Sequence, residues 1–150
     1  MRRLNDGRGY DLDYYNLYLR QYLMTHHFPE ADDDILIGIR AEAASDEYVA
    51  SRLAGDDIIT SSEKALDRLL EGFEISPYEL VGNILADEFN DHIPVDDYSL
   101  DFWTNTLLEV LAPEFKGVTL TEEYFNTNEG VVFKLVITGR IAEYFEEYGL

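Results

Sequence analysis

The chain has 150 residues, of which 46% are hydrophobic, 28% are charged and none is cysteine. This length and apolar content predict one compact folded domain and exclude a disordered chain. The lack of cysteine excludes disulfides, thiolate metal sites, iron–sulfur clusters and a cysteine nucleophile. No apolar run approaches the roughly 18 residues of a membrane-spanning helix, so we expect the whole chain to be the mature protein, located in the bacterial cytoplasm.

Net charge is the least ordinary feature of the sequence. The 31 Asp and Glu residues against 11 Lys and Arg give a net charge of −20. Residues 1–9 are predicted to form a flexible basic tail, which leaves the single acidic domain, residues 10–150, more negative still. Nucleic acids and anionic membranes require a basic footprint, so neither is an expected partner. The acids indicate either a solubilising surface or a docking face for a basic protein.

Two helices are predicted in the first third of the chain. The first follows Asp11, a candidate N-cap, and ends in the segment 25–29. The second begins in the acidic run 32–34, whose carboxylates favour the exposed N–H groups of a helix start, and ends at Gly55. The apolar residues that define its helical spacing are Ile35, Ile39 and Ala43, with Leu53 near the end.

Two capping boxes are predicted to open the next two helices. The segment 60–63, Thr-Ser-Ser-Glu, has the required spacing, and its helix ends at Gly72. The segment 76–79 repeats the spacing with Pro77 at the favoured first helical position, and Pro94 stops that helix. Ser99 and Asp101 introduce a fifth helix, which Pro113 should terminate.

The remaining segments are less regular. Residues 115–128 read as an irregular connection with one short turn at Glu122 and Glu123. Residues 128–148 contain enough β-branched side chains to form a strand, but the run has no turn signal and is too long for one, so we predict a helix. Apolar side chains surround most of this helix, which predicts a central position with Gly139 allowing close approach. The predicted fold is an all-α, single-domain bundle of about six helices.

Several short motifs occur in a characteristic order along the chain. They are Asp13-Tyr14-Tyr15, Arg40-Ala41-Glu42-Ala43-Ala44, Leu85-Ala86-Asp87-Glu88-Phe89, Leu120-Thr121-Glu122-Glu123-Tyr124-Phe125, Thr138-Gly139-Arg140-Ile141-Ala142-Glu143-Tyr144 and Glu146-Glu147-Tyr148-Gly149-Leu150. From about residue 10 to the end, the sequence resembles domain-of-unknown-function family 1896, Bacteroidetes-type small acidic proteins often carried on conjugative transposons. The resemblance implies an all-helical fold and a mobile-element context, and it brings no activity, cofactor or catalytic residue.

Two groups of side chains are candidates for chemistry. His26 and His27 precede the acids at 30 and 32–34, which together could form a zinc or hard-metal site. Adjacent histidines point about 100° apart on a helix, so a helix-end role is the default interpretation. Glu88 and His92 lie four residues apart beside Asp91, a spacing that suits an ion pair and also two metal ligands or an acid and base.

No phosphate-binding loop or serine-nucleophile motif is present in the sequence. We therefore assign no catalytic, cofactor-binding or metal-binding residue and expect no cofactor. Tyr14, Tyr18 and Tyr22 form one helical stripe with Tyr15 beside it. Core packing is the default interpretation of that stripe, and an aromatic interface rim is the alternative.

Three functional hypotheses follow from these observations. The first is a non-enzymatic interaction or accessory protein, whose acidic surface docks a basic protein or which self-associates. The second is a DNA mimic that sequesters a DNA-binding protein through carboxylates spaced like phosphates. The third and least favoured is a carboxylate- or metal-dependent enzyme, which requires Glu88, Asp91 and His92 to converge with residues 26–34.

Overall fold

The computed structural model describes residues 12–149. The chain divides into two compact units, Met1–Glu71 and Gly72–Leu150. Every regular element in the described part is helical, so the all-α prediction is confirmed. The predicted N-cap Asp11 and the predicted tail 1–9 lie outside the described residues, and the single domain 10–150 stays a prediction. Between residues 12 and 149, no helix has the length and apolar character needed to cross a bilayer.

The described part of the first unit, residues 12–71, consists of three helices and a short 3-10 turn. Helix α1 spans Leu12–Thr25, the turn spans Pro29–Asp32, α2 spans Asp34–Leu53 and α3 spans Ile58–Leu70. Helix α2 packs against both α1 and α3. The buried apolar residues of these helices are Tyr15, Leu19, Leu23, Ile37, Ala41, Ala44, Tyr48, Ala65 and Leu69.

Helix α2 buries a different face from the one that the sequence pattern predicted. Ile35 and Ile39 are 77% and 63% exposed, whereas Ile37 and Ala41 are buried. The helix carries two apolar stripes, and both have the helical spacing on which the prediction rested. The buried stripe is rich in small residues, which allow the close approach of α1 and α3.

A polar network fixes the turn between α2 and α3. The hydroxyl of Ser51 donates to Asp56 Oδ2 at 2.5 Å, and the buried Ser61 hydroxyl donates to Ser51 Oγ at 2.9 Å. Lys64 Nζ donates to the same oxygen of Asp56 at 2.8 Å. The chain reverses at Gly55, whose φ of 101° is left-handed. The network therefore satisfies both serine hydroxyls that the α2 and α3 contact buries.

Residues 72–149 of the second unit form four helices. Helix α4 spans Pro77–Glu88, α5 spans Asp97–Phe115, α6 spans Glu122–Phe125 and α7 spans Asn128–Glu147. Helix α5 packs against α4 and α7, and α6 packs against α7. The core cluster consists of Leu80, Val81, Ile84, Leu85, Phe89, Ile93, Leu107, Leu111, Leu120, Ile137, Ile141 and Phe145.

Two predicted helix starts need correction. The capping box at 60–63 does not open α3, because Asp57 lies at the N-cap and accepts a hydrogen bond from Thr60 N. Helix α5 likewise has its N-cap at Asp96, which accepts from Ser99 N, and not at Ser99 or Asp101. In both places the N-cap is an aspartate that lies three residues before the first residue of the predicted helix start. The predicted capping box at Ser76 and Glu79 is confirmed.

The predicted ends of two helices also need correction. Helix α4 ends at Glu88, well before Pro94, and α5 passes through Pro113 to Phe115. Proline removes one hydrogen bond from a helix. That loss falls in the last turns of a 19-residue helix that Leu107 and Leu111 anchor in the core.

The helix predicted over residues 128–148 is confirmed, and the strand alternative is excluded. Its predicted central position is wrong. Helix α7 buries Ile137, Ile141 and Phe145 on one face, while apolar residues on the opposite face are exposed. Two apolar faces on one helix give the same sequence signal as a helix buried on all sides.

Helix α7 begins in close contact with α6. Thr127 Oγ1 accepts a hydrogen bond from Gly130 N at 3.0 Å and donates one to Tyr124 O at 2.6 Å. Gly130 is buried, and a Cβ atom added there would overlap the carbonyl group of Tyr124. Only glycine fits this position, because the backbone of α6 occupies the space of a side chain.

Two substitutions on α7 should have opposite effects on stability. We expect Gly130→Ala to lower the free energy of unfolding by about 1–3 kcal/mol or more, because the backbone must shift to admit the methyl group. Gly139→Ala adds a methyl group that meets no atom within 4 Å, so it should raise stability by about 0.5–1 kcal/mol through helix propensity. Urea denaturation measures both effects, and equal stabilities would contradict the described junction.

The Asp56 network should make stability depend on pH. The hydrogen bonds from Lys64 and Ser51 lower the pKa of Asp56 below its ordinary value of 3.8. A lowered folded-state pKa contributes stability above the ordinary value, and this contribution is lost as the pH falls through the folded-state pKa. We expect Asp56→Asn to lower the Tm at pH 7, and the difference from the unsubstituted chain to vanish in acid.

The matched control for this prediction is Asp67→Asn on α3. Asp67 is exposed, and its side chain has no hydrogen bond or ion pair with another described residue. Its substitution should leave the Tm at pH 7 nearly unchanged. Equal Tm values for the two variants at pH 7 would show that the network does not stabilise the turn.

Candidate functional site

The candidate metal site at the end of α1 is a helix terminus in the structure. His27 N donates to Met24 O at 3.2 Å and Phe28 N donates to Leu23 O at 2.8 Å, which is the Schellman pattern of a helix end. His27 has the left-handed φ of 60° that this end requires. The His26 ring lies 4.4 Å from the Tyr22 ring. Within residues 12–149, no three His, Asp or Glu side chains are grouped to hold a metal.

The candidate pair Glu88 and His92 does not lie on one helical face. Helix α4 ends at Glu88, so His92 follows in the turn. The His92 ring stacks on Phe145 with centroids 5.5 Å apart and meets the edge of Phe89. No ion pair joins Glu88 to His92 in the described part of the chain. The predicted ion pair is therefore wrong, because the helix that would align the two side chains stops too early.

The tyrosine stripe on α1 lies partly in the core and partly at the surface. Tyr15 is buried, and its neighbours Tyr14 and Tyr18 are exposed. The Tyr14 ring lies 5.2 Å from the Tyr15 ring in an edge-on arrangement. Tyr22 is half-buried and stacks on Phe28. The core interpretation holds for Tyr15, and the interface rim stays a prediction for Tyr14 and Tyr18.

The acidic run 32–34 forms the entrance to α2. Asp33 is the N-cap, and its Oδ1 accepts a hydrogen bond from Leu36 N at 3.0 Å. Asp34 pairs with Arg20 at 2.9 Å, although the Asp34 side chain stays 81% exposed. Carboxylates are favoured at this end of a helix because the N–H groups of the first turn carry a partial positive charge. One of the three acids thus holds the helix start, and all three remain at the surface.

A shallow surface continues from this entrance along α2. We call it the α2 surface, and its residues are Asp34, Ile35, Gly38, Ile39, Glu42, Ala43 and Asp46. A second depression, lined by Pro29 and the acids 32–34, shares Asp34 and Ile35 with it. The two isoleucines are one helical turn apart, and exposed carboxylates lie on both sides of them along the helix.

Two arginines of this region bond to described partners. Arg20 pairs with Asp34 and donates to Ala31 O. Arg40 lies in the middle of α2, but its Nη1 donates to Leu69 O at 3.1 Å and to Glu71 O at 2.7 Å, so it caps the end of α3. The α2 surface therefore combines exposed apolar side chains with excess negative charge.

Sequence reasoning identified the acids of this surface but placed its apolar part in the core. The small residues Ala41 and Ala44 were the available signal for the buried face of α2, since they occur at helical spacing among larger residues. Carboxylates also occur on every other described α-helix. The DNA-mimic and enzyme hypotheses stay predictions, and no described group of residues favours either over docking.

The described chain is thus a small all-α protein with an acidic, partly apolar surface along one helix. The family model for the domain of unknown function DUF1896 matches residues 8–150, and the chain belongs to this family. The family predicted from the sequence motifs is thereby confirmed. No curated protein matches the chain.

A solved structure supports the fold. The crystal structure of protein PG0816 from Porphyromonas gingivalis matches with a TM-score of 0.77 and 22% sequence identity. The match covers 91% of this chain and 92% of that chain. At this level of identity the similarity establishes the helical fold alone.

The capping role of Asp33 can be separated from its charge. We expect Asp33→Ala to lower the free energy of unfolding by about 1 kcal/mol, because Leu36 N loses its acceptor. Asp33→Ser removes the same charge but keeps a capping oxygen, so it should lie within a few tenths of a kcal/mol of the unsubstituted chain. Thermal denaturation monitored by circular dichroism compares the three, and equal losses in both variants would contradict the capping role.

Proposed function

We propose that this chain is a non-enzymatic interaction module that docks a basic protein on the α2 surface. The observation that carries the proposal is the exposure of Ile35 and Ile39 between the acids Asp34, Glu42 and Asp46. The proposal includes a bacterial cytoplasmic location for the chain, and the family resemblance adds a mobile-element context.

The apolar part of the α2 surface supports a protein partner over a small ion. Ile35 and Ile39, one helical turn apart, are 77% and 63% exposed. Burial of their aliphatic surface against another chain would stabilise a complex. Exposed acids alone would be the ordinary surface of a soluble protein. The combination with apolar residues at i and i+4 fits an amphipathic partner segment that lies along α2.

The negative charges of the α2 surface require a partner surface with positive charge. Lysine or arginine side chains beside an apolar partner stripe would meet Glu42 and Asp46, which lie one turn apart on α2. The net charge of −20 would also accelerate the encounter with a basic protein. Both contributions are screened by salt, because the carboxylates are exposed.

The proposal predicts the outcome of capture experiments in cells. A tagged chain, mildly crosslinked in bacterial cells, should capture a basic protein at low salt and release it as the salt concentration rises. We expect Ile39→Ser to weaken this binding about tenfold, because one buried aliphatic side chain is worth about 1.5–3 kcal/mol at full burial. Titration of the identified partner with purified chain gives the affinity.

The matched control is Leu53→Ser at the other end of the same helix. Leu53 is 83% exposed but lies outside the α2 surface, so its substitution should leave the affinity unchanged. Glu42→Gln on the α2 surface should weaken binding by about 0.2–1 kcal/mol and flatten the salt dependence. Binding that resists salt, or equal effects of Ile39→Ser and Leu53→Ser, would overturn the proposal.

A further inference from the structure

Helix α7 presents an apolar face to solvent on the side opposite its buried residues. We call it the outer face of α7, and it consists of Val131, Val132, Leu135, Val136, Gly139 and Ala142. These positions recur at intervals of three and four residues and therefore lie on one side of the helix. Leu135 is 65% exposed. Three turns of uncharged surface are unusual on a chain with a net charge of −20.

The outer face contains a glycine that the fold itself does not need. A Cβ atom added at Gly139 would meet no atom within 4 Å. Glycine in the middle of a helix lowers stability relative to alanine. Its presence on an exposed face is explained if another helix approaches the backbone closely at this point.

We infer that the outer face of α7 pairs, antiparallel, with the same face of a second copy of this chain. The face is large at its amino-terminal half and small at its carboxy-terminal half. A two-fold axis near residue 137 would place Leu135 opposite the partner's Gly139 and Val132 opposite the partner's Ala142. These two large side chains then each fit a small one, and the contact is the same on both copies, as an isologous pair requires.

The charges at the end of α7 select the antiparallel orientation. Glu143, Glu146 and Glu147 lie together in the last turns of the helix. Parallel pairing would bring both sets of three carboxylates to one end, which like-charge repulsion disfavours. Antiparallel pairing about residue 137 separates the centres of the two sets by roughly 25 Å, at 1.5 Å of rise per residue. It also brings each set near the positive end of the partner helix.

The charge pattern also favours a second copy over a basic partner on this face. The cations nearest to the outer face, Lys134 and Arg140, project from other sides of the helix. Arg140 pairs with Glu114 of α5 at 3.3 Å. Glu143, one turn after Gly139, is the first acid at the edge of the outer face. Between residues 131 and 142, shape complementarity is therefore the property that this face can use.

The size of the outer face sets the strength of the pair. Exposed apolar patches of single chains measure about 300–600 Å², so two such faces would bury less than the roughly 1,200 Å² of a stable interface. The pair should consequently form at concentrations in the micromolar range or above. This inference is independent of docking on the α2 surface, because the two surfaces belong to different helices.

Sedimentation velocity over a wide concentration range tests the pairing. We expect the mass of the unsubstituted chain to rise from one copy to two, and the association to tighten as salt is added, because salt screens the repulsion between two acidic chains. Docking on the α2 surface should show the opposite salt dependence, so failure of one idea is distinguishable from failure of the other. A chain that stays monomeric at the highest concentration and salt would overturn the inference.

Leu135→Glu and its control locate the contact. Leu135→Glu places a charge on the outer face and should reduce association at least tenfold without loss of the folded state, since the residue is exposed. Val110→Glu adds the same charge at a 50% exposed position on α5 and should leave association unchanged. Gly139→Ala should raise the Tm yet weaken association. Equal association of all three variants would show that the contact lies elsewhere.

Single cysteines test the orientation, because the chain has none of its own. A mixture of Val132→Cys and Ala142→Cys chains should form a mixed disulfide in the antiparallel pair. Ala142→Cys alone should not crosslink, since the two copies of residue 142 would lie about 15 Å apart along the helix axes and a disulfide spans less than about 7 Å between Cα atoms. Efficient crosslinking of Ala142→Cys with itself would indicate parallel pairing and overturn the antiparallel arrangement.

Discussion

The fold depends on side chains that accept hydrogen bonds from the first turn of a helix. From α2 to α7 the N-cap residues are Asp33, Asp57, Ser76, Asp96, Thr121 and Thr127. Short helices are marginal in water because nucleation is costly and the first N–H groups lack partners. A chain without cysteine has no disulfide to compensate for this. Each helix from α2 to α7 is therefore fixed at its start by a cap, whereas tertiary packing decides which of its faces is buried.

This dependence explains which parts of the fold could be predicted from the sequence. The start of α4 was predicted because Ser76, Pro77 and Glu79 all indicate the same position. The starts of α3 and α5 were misplaced because capping residues occur there at two neighbouring positions, and local spacing does not rank them. The burial of one face of α7 was missed for a related reason, since periodicity reports that a side chain is apolar and not which neighbour packs against it.

The same limit applies to the candidate site. Composition and charge identified the acids at the start of α2, and these acids lie at the surface as expected. The isoleucines between them were assigned to the core, because α2 carries two apolar stripes and only tertiary packing shows which one α1 and α3 cover. The histidines were open to metal binding on sequence grounds. Their positions at a helix end and against Phe145 depend on where α1 and α4 stop, which is the least predictable property of a helix.

The carboxylates of this chain fall into two populations, those that hold a helix start or the turn at Asp56 and those that serve as surface charge. Asp33, Asp57 and Asp96 are acceptors at helix starts, whereas residues such as Asp67 serve only as surface charge. The acidic residues are consequently not interchangeable, and some of them cannot be substituted without an effect on the fold. Neutralising the acids that serve only as surface charge would change solubility and leave the helices intact. Neutralising the acids that accept hydrogen bonds at helix starts would destabilise those helices. Some of the same side chains therefore contribute both to the negative charge of the chain and to the stability of its helices.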